Sequence, residues 1–63
     1  MAMMLRVRTA WDGIVVFACN HTSFTMFNAA GSTWLRGVHD DGSKREAVVH
    51  PDDVERVREM LGL

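Results

Sequence analysis

Ile14-Val15-Val16-Phe17-Ala18-Cys19 is an unbroken apolar run, and its reading decides the fold. The run is rich in β-branched and aromatic side chains, has the length of a strand, and is too short to show a helical period. Successive side chains of a strand point to opposite sides, so Ile14, Val16 and Ala18 share one face and Val15, Phe17 and Cys19 the other. Both faces are apolar. A sheet carrying a single helix has cover for one face only. The second face must then be met by the sheet curling into a small barrel or by another subunit packed on Val15, Phe17 and Cys19.

The flanking residues extend the β reading in both directions. From Met3 to Thr9, Leu5 and Val7 alternate with Arg6 and Arg8, the period of a half-buried strand. Trp11-Asp12-Gly13 then supplies an Asp-Gly hairpin signal between the two strands, because both residues tolerate positive φ. After the apolar run, Asn20-His21-Thr22-Ser23 is a cluster of turn formers, and a third strand is expected over 24–28. A rival reading has Thr22 or Ser23 capping a short helix from Phe24 to Ala30, ended by Gly31. The β-rich Phe24-Thr25-Met26-Phe27 favours the strand. Ala29-Ala30-Gly31-Ser32 turns the chain into a fourth strand over 33–38 that carries Trp34. Gly37 within it signals a bulge or a close backbone approach. His39 to Lys44 is a polar hairpin loop, and 45–49 is the returning strand.

Pro51 suits a first helical position, Asp52 and Asp53 lie where the helix dipole favours anions, and Gly62 follows the last turn. Val54, Val57, Met60 and Leu61 form one apolar stripe, so a helix is expected over 51–61 with that stripe docked on the sheet. Asp52 with Arg56 and Glu55 with Arg58 have the spacing of helical ion pairs. The expected fold is α+β: a small antiparallel sheet or curled half-barrel of about four to five strands, then one C-terminal α-helix, in a single domain over 1–63.

Size and composition narrow the function classes. With 63 residues the chain buries only about 60% of the surface it exposes when unfolded, and domains this short usually need a staple. Cys19 is the only cysteine, which excludes a disulfide within the chain. Cys19, His21, His39 and His50 lack zinc-site spacing, so neither a metal nor another cofactor is expected. Association with a second copy remains, by elimination. The longest run without charge, Gly13 to Leu35, is broken by polar residues and does not suit a membrane span. Met1-Ala2-Met3-Met4-Leu5-Arg6-Val7-Arg8 lacks an export leader's apolar core and cleavage site, and a lone thiol suits a reducing compartment, so a cytoplasmic location is expected. The Asn20-His21-Thr22 sequon is accordingly a chance match. A residue usage rich in Val, Arg, Ala, Asp and Gly, with one Lys and no Tyr, points to a GC-rich bacterial or phage genome.

The chemistry-bearing residues are sparse. Cys19 and His21 have the spacing of two residues on one strand face, as a thiolate–imidazole dyad requires, but a buried cysteine beside a loop histidine is the better reading. A chain this short has little room for the pocket and oxyanion site that a nucleophile needs. His39-Asp40-Asp41-Gly42 resembles a cation loop only superficially, since an EF-hand spreads its ligands over about twelve residues; a solvated hairpin tip is expected. His50 ends the last strand before Pro51. Five methionines allow an adaptable apolar surface, although Met60 reads as core. Arg6, Arg8 and Arg36, with Trp34 and Trp11 nearby, have the ingredients of a single-strand nucleic-acid patch, whereas the net charge of -1 supplies no general attraction to phosphate. The expected function is therefore a non-enzymatic binding or regulatory module acting through protein contacts, as a homodimer and with an unidentified protein partner. Nucleic-acid binding is the alternative.

Overall fold

The structure, a computed structural model, describes residues 3–63. Five antiparallel strands, β1 (Met4–Arg8), β2 (Ile14–Ala18), β3 (Thr22–Ala29), β4 (Ser32–His39) and β5 (Lys44–Val49), precede a 3-10 turn (Pro51–Asp53) and one helix, α1 (Val54–Leu61). β1 and β2 form a two-stranded sheet, and β3, β4 and β5 form a three-stranded meander. The sheets join at one point, where Thr9 bridges Val49, Ala10 N–H donates to the Val48 carbonyl (3.0 Å), and His50 N–H donates to the Arg8 carbonyl (2.9 Å). The α+β reading holds. The segment for which a strand and a helix competed is β3, longer than expected at both ends.

Three of the connections follow from residues that accept a left-handed backbone. In the Thr9–Gly13 loop, Thr9 N–H donates to the Gly13 carbonyl (2.8 Å) and Asp12 N–H to the Thr9 carbonyl (3.0 Å), with Asp12 at φ 65°. The His39–Ser43 loop repeats this pattern with Gly42 at φ 88°. Both are three-residue hairpins, a type I turn completed by one left-handed residue. Asp12, rather than Gly13, takes the special position in the first. Ala30 and Gly31, at φ 52° and 75°, make a two-residue turn of the primed kind between β3 and β4.

Leu5, Val7 and Phe17 of the hairpin are buried together with Leu35, Ala47 and Val49 of the meander and Val57 of α1. Val15, Cys19, Phe24, Met26, Val54 and Leu61 pack around them. One apolar face of β2 turns inward: Val15, Phe17 and Cys19, expected to meet a barrel interior or a partner, face the chain's own core, while Ile14, Val16 and Ala18 lie on the outer face, Ile14 54% exposed. Phe17 is 1% exposed and meets Phe24 edge to face at 5.9 Å between ring centroids. Space for this comes from Gly37, where an added Cβ would lie 3.1 Å from Phe24 Cε1 and 3.2 Å from both Phe17 Cδ2 and Thr22 Cγ2. The pairing of β4 through Gly37 is unbroken, so the glycine serves close approach and there is no bulge. Met60, expected in the core, is 61% exposed because α1 buries only a narrow stripe.

What fastens the helix is polar. The bonds Thr9 N–H to Gly13 and Cys19 N–H to Met3 show that the odd-numbered residues of β1 address β2, which turns the backbone groups of Arg6 and Arg8 to the other edge. There Arg8 N–H donates to Asp53 Oδ2 (2.9 Å), and the Arg56 guanidinium donates both to the Arg6 carbonyl and to the Asp53 carboxylate, at 2.6 and 2.8 Å. Asp53, expected as a first-turn anion, is instead 9% exposed and bridges the strand edge to α1. Arg56 pairs with it, while Asp52 lies beside His50, whose Nδ1 accepts the Asp52 N–H (3.1 Å). The expected Glu55–Arg58 contact is present at 3.8 Å. Gly62 at φ 69° closes α1, with Leu63 N–H donating to the Arg58 carbonyl (3.0 Å), as in a Schellman motif.

Two stability predictions follow from these contacts. Gly37→Ala is expected to lose about 1–3 kcal/mol to overpacking, read as a lower denaturant midpoint at unchanged slope. The hydrogen bond from Arg56, followed by that from Arg8 N–H, holds the Asp53 carboxyl below its ordinary range against the opposing effect of burial. A carboxyl depressed in the folded state contributes stability above its unfolded value of about 3.9, and that stability is lost as pH falls through the folded value. Asp53→Ala, which leaves Arg8 N–H and Arg56 unanswered, is expected to cost about 2–4 kcal/mol at neutral pH and much less in acid. Urea titrations of the variant and the wild type across that range measure the difference.

Candidate functional site

The outer face of the meander is set by strand alternation and register. Phe27 stands opposite Trp34 and Trp34 opposite Val48; beside them, Thr25 faces Arg36 and Arg36 faces Glu46. The Phe27 and Trp34 rings stack, with centroids 6.2 Å apart and planes inclined by 12°. The Arg36 guanidinium carbon lies 4.6 Å from the Phe27 centroid, and Arg36 Nε donates to Glu46 Oε2 at 2.7 Å. Trp34 Nε1–H is held by the Ala29 carbonyl at 3.1 Å. The result is a half-buried row of two aromatic rings, a cation and an anion, each fixed by its neighbour on a hydrogen-bonded sheet. Aromatic rings and arginine carry much of the energy of protein interfaces when a partner desolvates them.

Sequence reasoning found two members of this row, Trp34 and Arg36, and missed Phe27 and Glu46. A signal for Phe27 was present: a two-residue turn at Ala30-Gly31 pairs Ala29 with Ser32 and therefore Phe27 with Trp34. Arg6 and Arg8, assigned to the same patch, lie on the outer face of the β1–β2 hairpin, opposite Val16 and Ile14. The structure thus divides the basic patch between two sheets. Arg8 is engaged by Asp12, whose carboxyl is lowered by that hydrogen bond and charge, and Arg36 is engaged by Glu46.

The other candidate residues do not converge. Cys19 follows β2 half-buried against the core, whereas His21 sits in a left-handed turn (φ 56°) with its Nδ1 3.3 Å from Asp40 Oδ2. The shared strand face that a dyad requires is lost at that turn. Asp41 Oδ1 accepts from Ser43 Oγ (2.7 Å) and Ser43 N (2.9 Å), which lowers its carboxyl and commits it to the hairpin loop. His39 Nδ1 is 2.9 Å from Thr22 Oγ1 across the β3–β4 pair. Among the described residues no three of His, Cys, Asp and Glu gather as a metal site would require, no pocket is enclosed, and no helix is long and apolar enough to cross a membrane.

Because the Arg36–Glu46 pair is partly exposed, a double-mutant cycle with Arg36→Ala and Glu46→Ala is expected to give a coupling of about 0.2–1 kcal/mol, weakening with added salt. A salt-independent coupling would contradict this. No protein-family model, no curated protein and no solved structure matches the chain.

Proposed function

We propose that this protein is a small non-enzymatic binding module that acts through protein contacts, using the outer face of the β3–β4–β5 meander. The observation that carries this reading is the Phe27–Trp34 stack with Arg36 and Glu46 on a hydrogen-bonded sheet. Such a row is held in place before any partner arrives, so little ordering entropy remains to oppose binding. Its paired charges suit a protein surface of mixed polarity, with Val48 and Val38 extending the apolar area on the same face. The lone, half-buried thiol accords with work in the cytoplasm.

Nucleic-acid binding is the second reading, favoured by the presence of Trp34 and Arg36 in one row. It is the weaker because Asp12 and Glu46 already engage two of its three arginines, and the third, Arg6, lies on the other sheet. Phosphate recognition needs cations free to displace counterions.

The two readings separate by experiment. Affinity capture from host lysate with the wild-type protein is expected to retain a protein that both Trp34→Ala and Arg36→Glu lose while keeping their circular dichroism spectra. Retention unchanged by both variants would reject the meander face. Titration of single-stranded and duplex oligonucleotides at two salt concentrations is expected to show no salt-sensitive binding; such binding, lost with Arg36→Glu, would replace the protein-contact reading.

A further inference from the structure

Among the described residues, every strand edge but one is met at one or more points by another element or by a charged side chain. The second edge of β1 is met by Asp53, Arg56 and His50. The free edge of β2 is covered at the Val16 carbonyl, which accepts from Arg45 Nη1 (2.9 Å). The second edge of β5 is joined to Thr9 at one end and carries Lys44, Arg45 and Glu46 at the other. β3 pairs with β4 alone and is eight residues long, with a continuous register from Thr22 to Ala29. Its sequence, Thr-Ser-Phe-Thr-Met-Phe-Asn-Ala, contains no charged residue and no proline. Those are the devices by which proteins keep a strand edge from pairing with another chain.

We infer that β3 pairs edge to edge with β3 of a second copy, antiparallel about a two-fold axis, joining the two meanders into one continuous sheet. This gives the protein-contact reading its first partner and rests on that reading. A second copy is the occupant for which the fit is built in. An uncharged edge brings no like charges together on self-pairing, and an antiparallel strand pair is self-complementary under two-fold symmetry.

The register follows from alternation. The two-residue turn makes Ala29 and Ser32 a hydrogen-bonded pair, so the odd residues of β3 address β4 and the backbone groups of Thr22, Phe24, Met26 and Asn28 point to the free edge. Setting Thr25 opposite Thr25 of the copy uses all four of these residues and forms about eight backbone hydrogen bonds, against about six with Met26 at the axis. In the favoured register Phe24 lies opposite Met26 of the copy, a sulfur–aromatic contact. Thr25, exposed on the outer face, sits at the axis as a non-hydrogen-bonded pair, with Cα atoms about 4.5 Å apart, within disulfide reach.

Sedimentation of the full chain from micromolar to millimolar concentration is expected to show a monomer–dimer equilibrium that Thr25→Lys shifts to monomer without altering the circular dichroism spectrum. In a Cys19→Ser background, Thr25→Cys is expected to form a disulfide-linked dimer under mild oxidation much faster than Ser23→Cys, which the register places opposite Phe27. A wild-type monomer at every concentration would overturn the inference and leave the edge to an extended segment of a different protein. A dimer indifferent to Thr25→Lys, with no preference for cross-linking at position 25, would overturn it in favour of another surface. Neither failure touches the capture result at Trp34 and Arg36, which tests the meander face separately.

Discussion

The Asp53 carboxylate is the point on which the rest of this structure depends. It accepts a main-chain hydrogen bond from Arg8, at the end of β1, and two from Arg56 on the helix that follows it. A helix of eight residues has no stability of its own, and the apolar contact of α1 is narrow, with Val57 buried and Val54 and Leu61 only partly so. Hydrophobic burial brings the helix to the sheet but leaves its position along β1 loosely specified. The carboxylate and the guanidinium set that position because their partners are single main-chain groups at Arg8 and Arg6. Closing the β1 edge and docking the helix are therefore one event, and they satisfy backbone groups that would otherwise need water or another strand.

This economy explains how a chain without a disulfide holds together at such a size. Elimination left association with a second copy as the expected staple, and the structure adds a closely fitted core. Phe17 from one sheet enters a space that exists because position 37 of the other carries no side chain. Phe24 closes on it edge to face, and the Thr9–Val49 bridge fixes the angle of approach by tying the ends of β1 and β5 together. Sheet, helix and bridge each supply one constraint, and all three converge on the cluster of Leu5, Val7, Phe17, Leu35 and Val57.

Strand positions were legible because polar and apolar residues alternate in β1, because β-rich runs mark the other strands, and because turn residues separate them. The orientation of β2 was not, since a strand apolar on both faces carries no information about which face turns inward. Here the deciding contact is between Phe17 and residues 20 positions later, at Gly37. The role of Asp53 was hidden for a similar reason: its acceptor function is defined by a main-chain donor 45 residues away, whereas its local context reads as an ordinary first-turn acid. The outer row was half legible. Trp34 and Arg36 stood out by residue type, but Phe27 and Glu46 join them only through register, and Arg6 and Arg8 left the patch because the chain divides its strands between two sheets.

The same division of strands determines where recognition is possible. Folding uses the inner faces of both sheets and the second edge of β1, so none of these is available to a partner. The outer face of each sheet and the free edge of β3 stay open. The hairpin's outer face intersperses Arg6 and Arg8 among Ile14, Val16 and Ala18, which keeps its apolar area broken. On the meander, the Phe27–Trp34 stack adjoins the unguarded edge, since Phe27 belongs to β3 itself. Pairing through that edge places two copies of the stack on one side of a continuous sheet, flanking the two-fold axis at Thr25. Two weak contacts so arranged reinforce each other by effective concentration, and the edge and the face become parts of one bivalent surface.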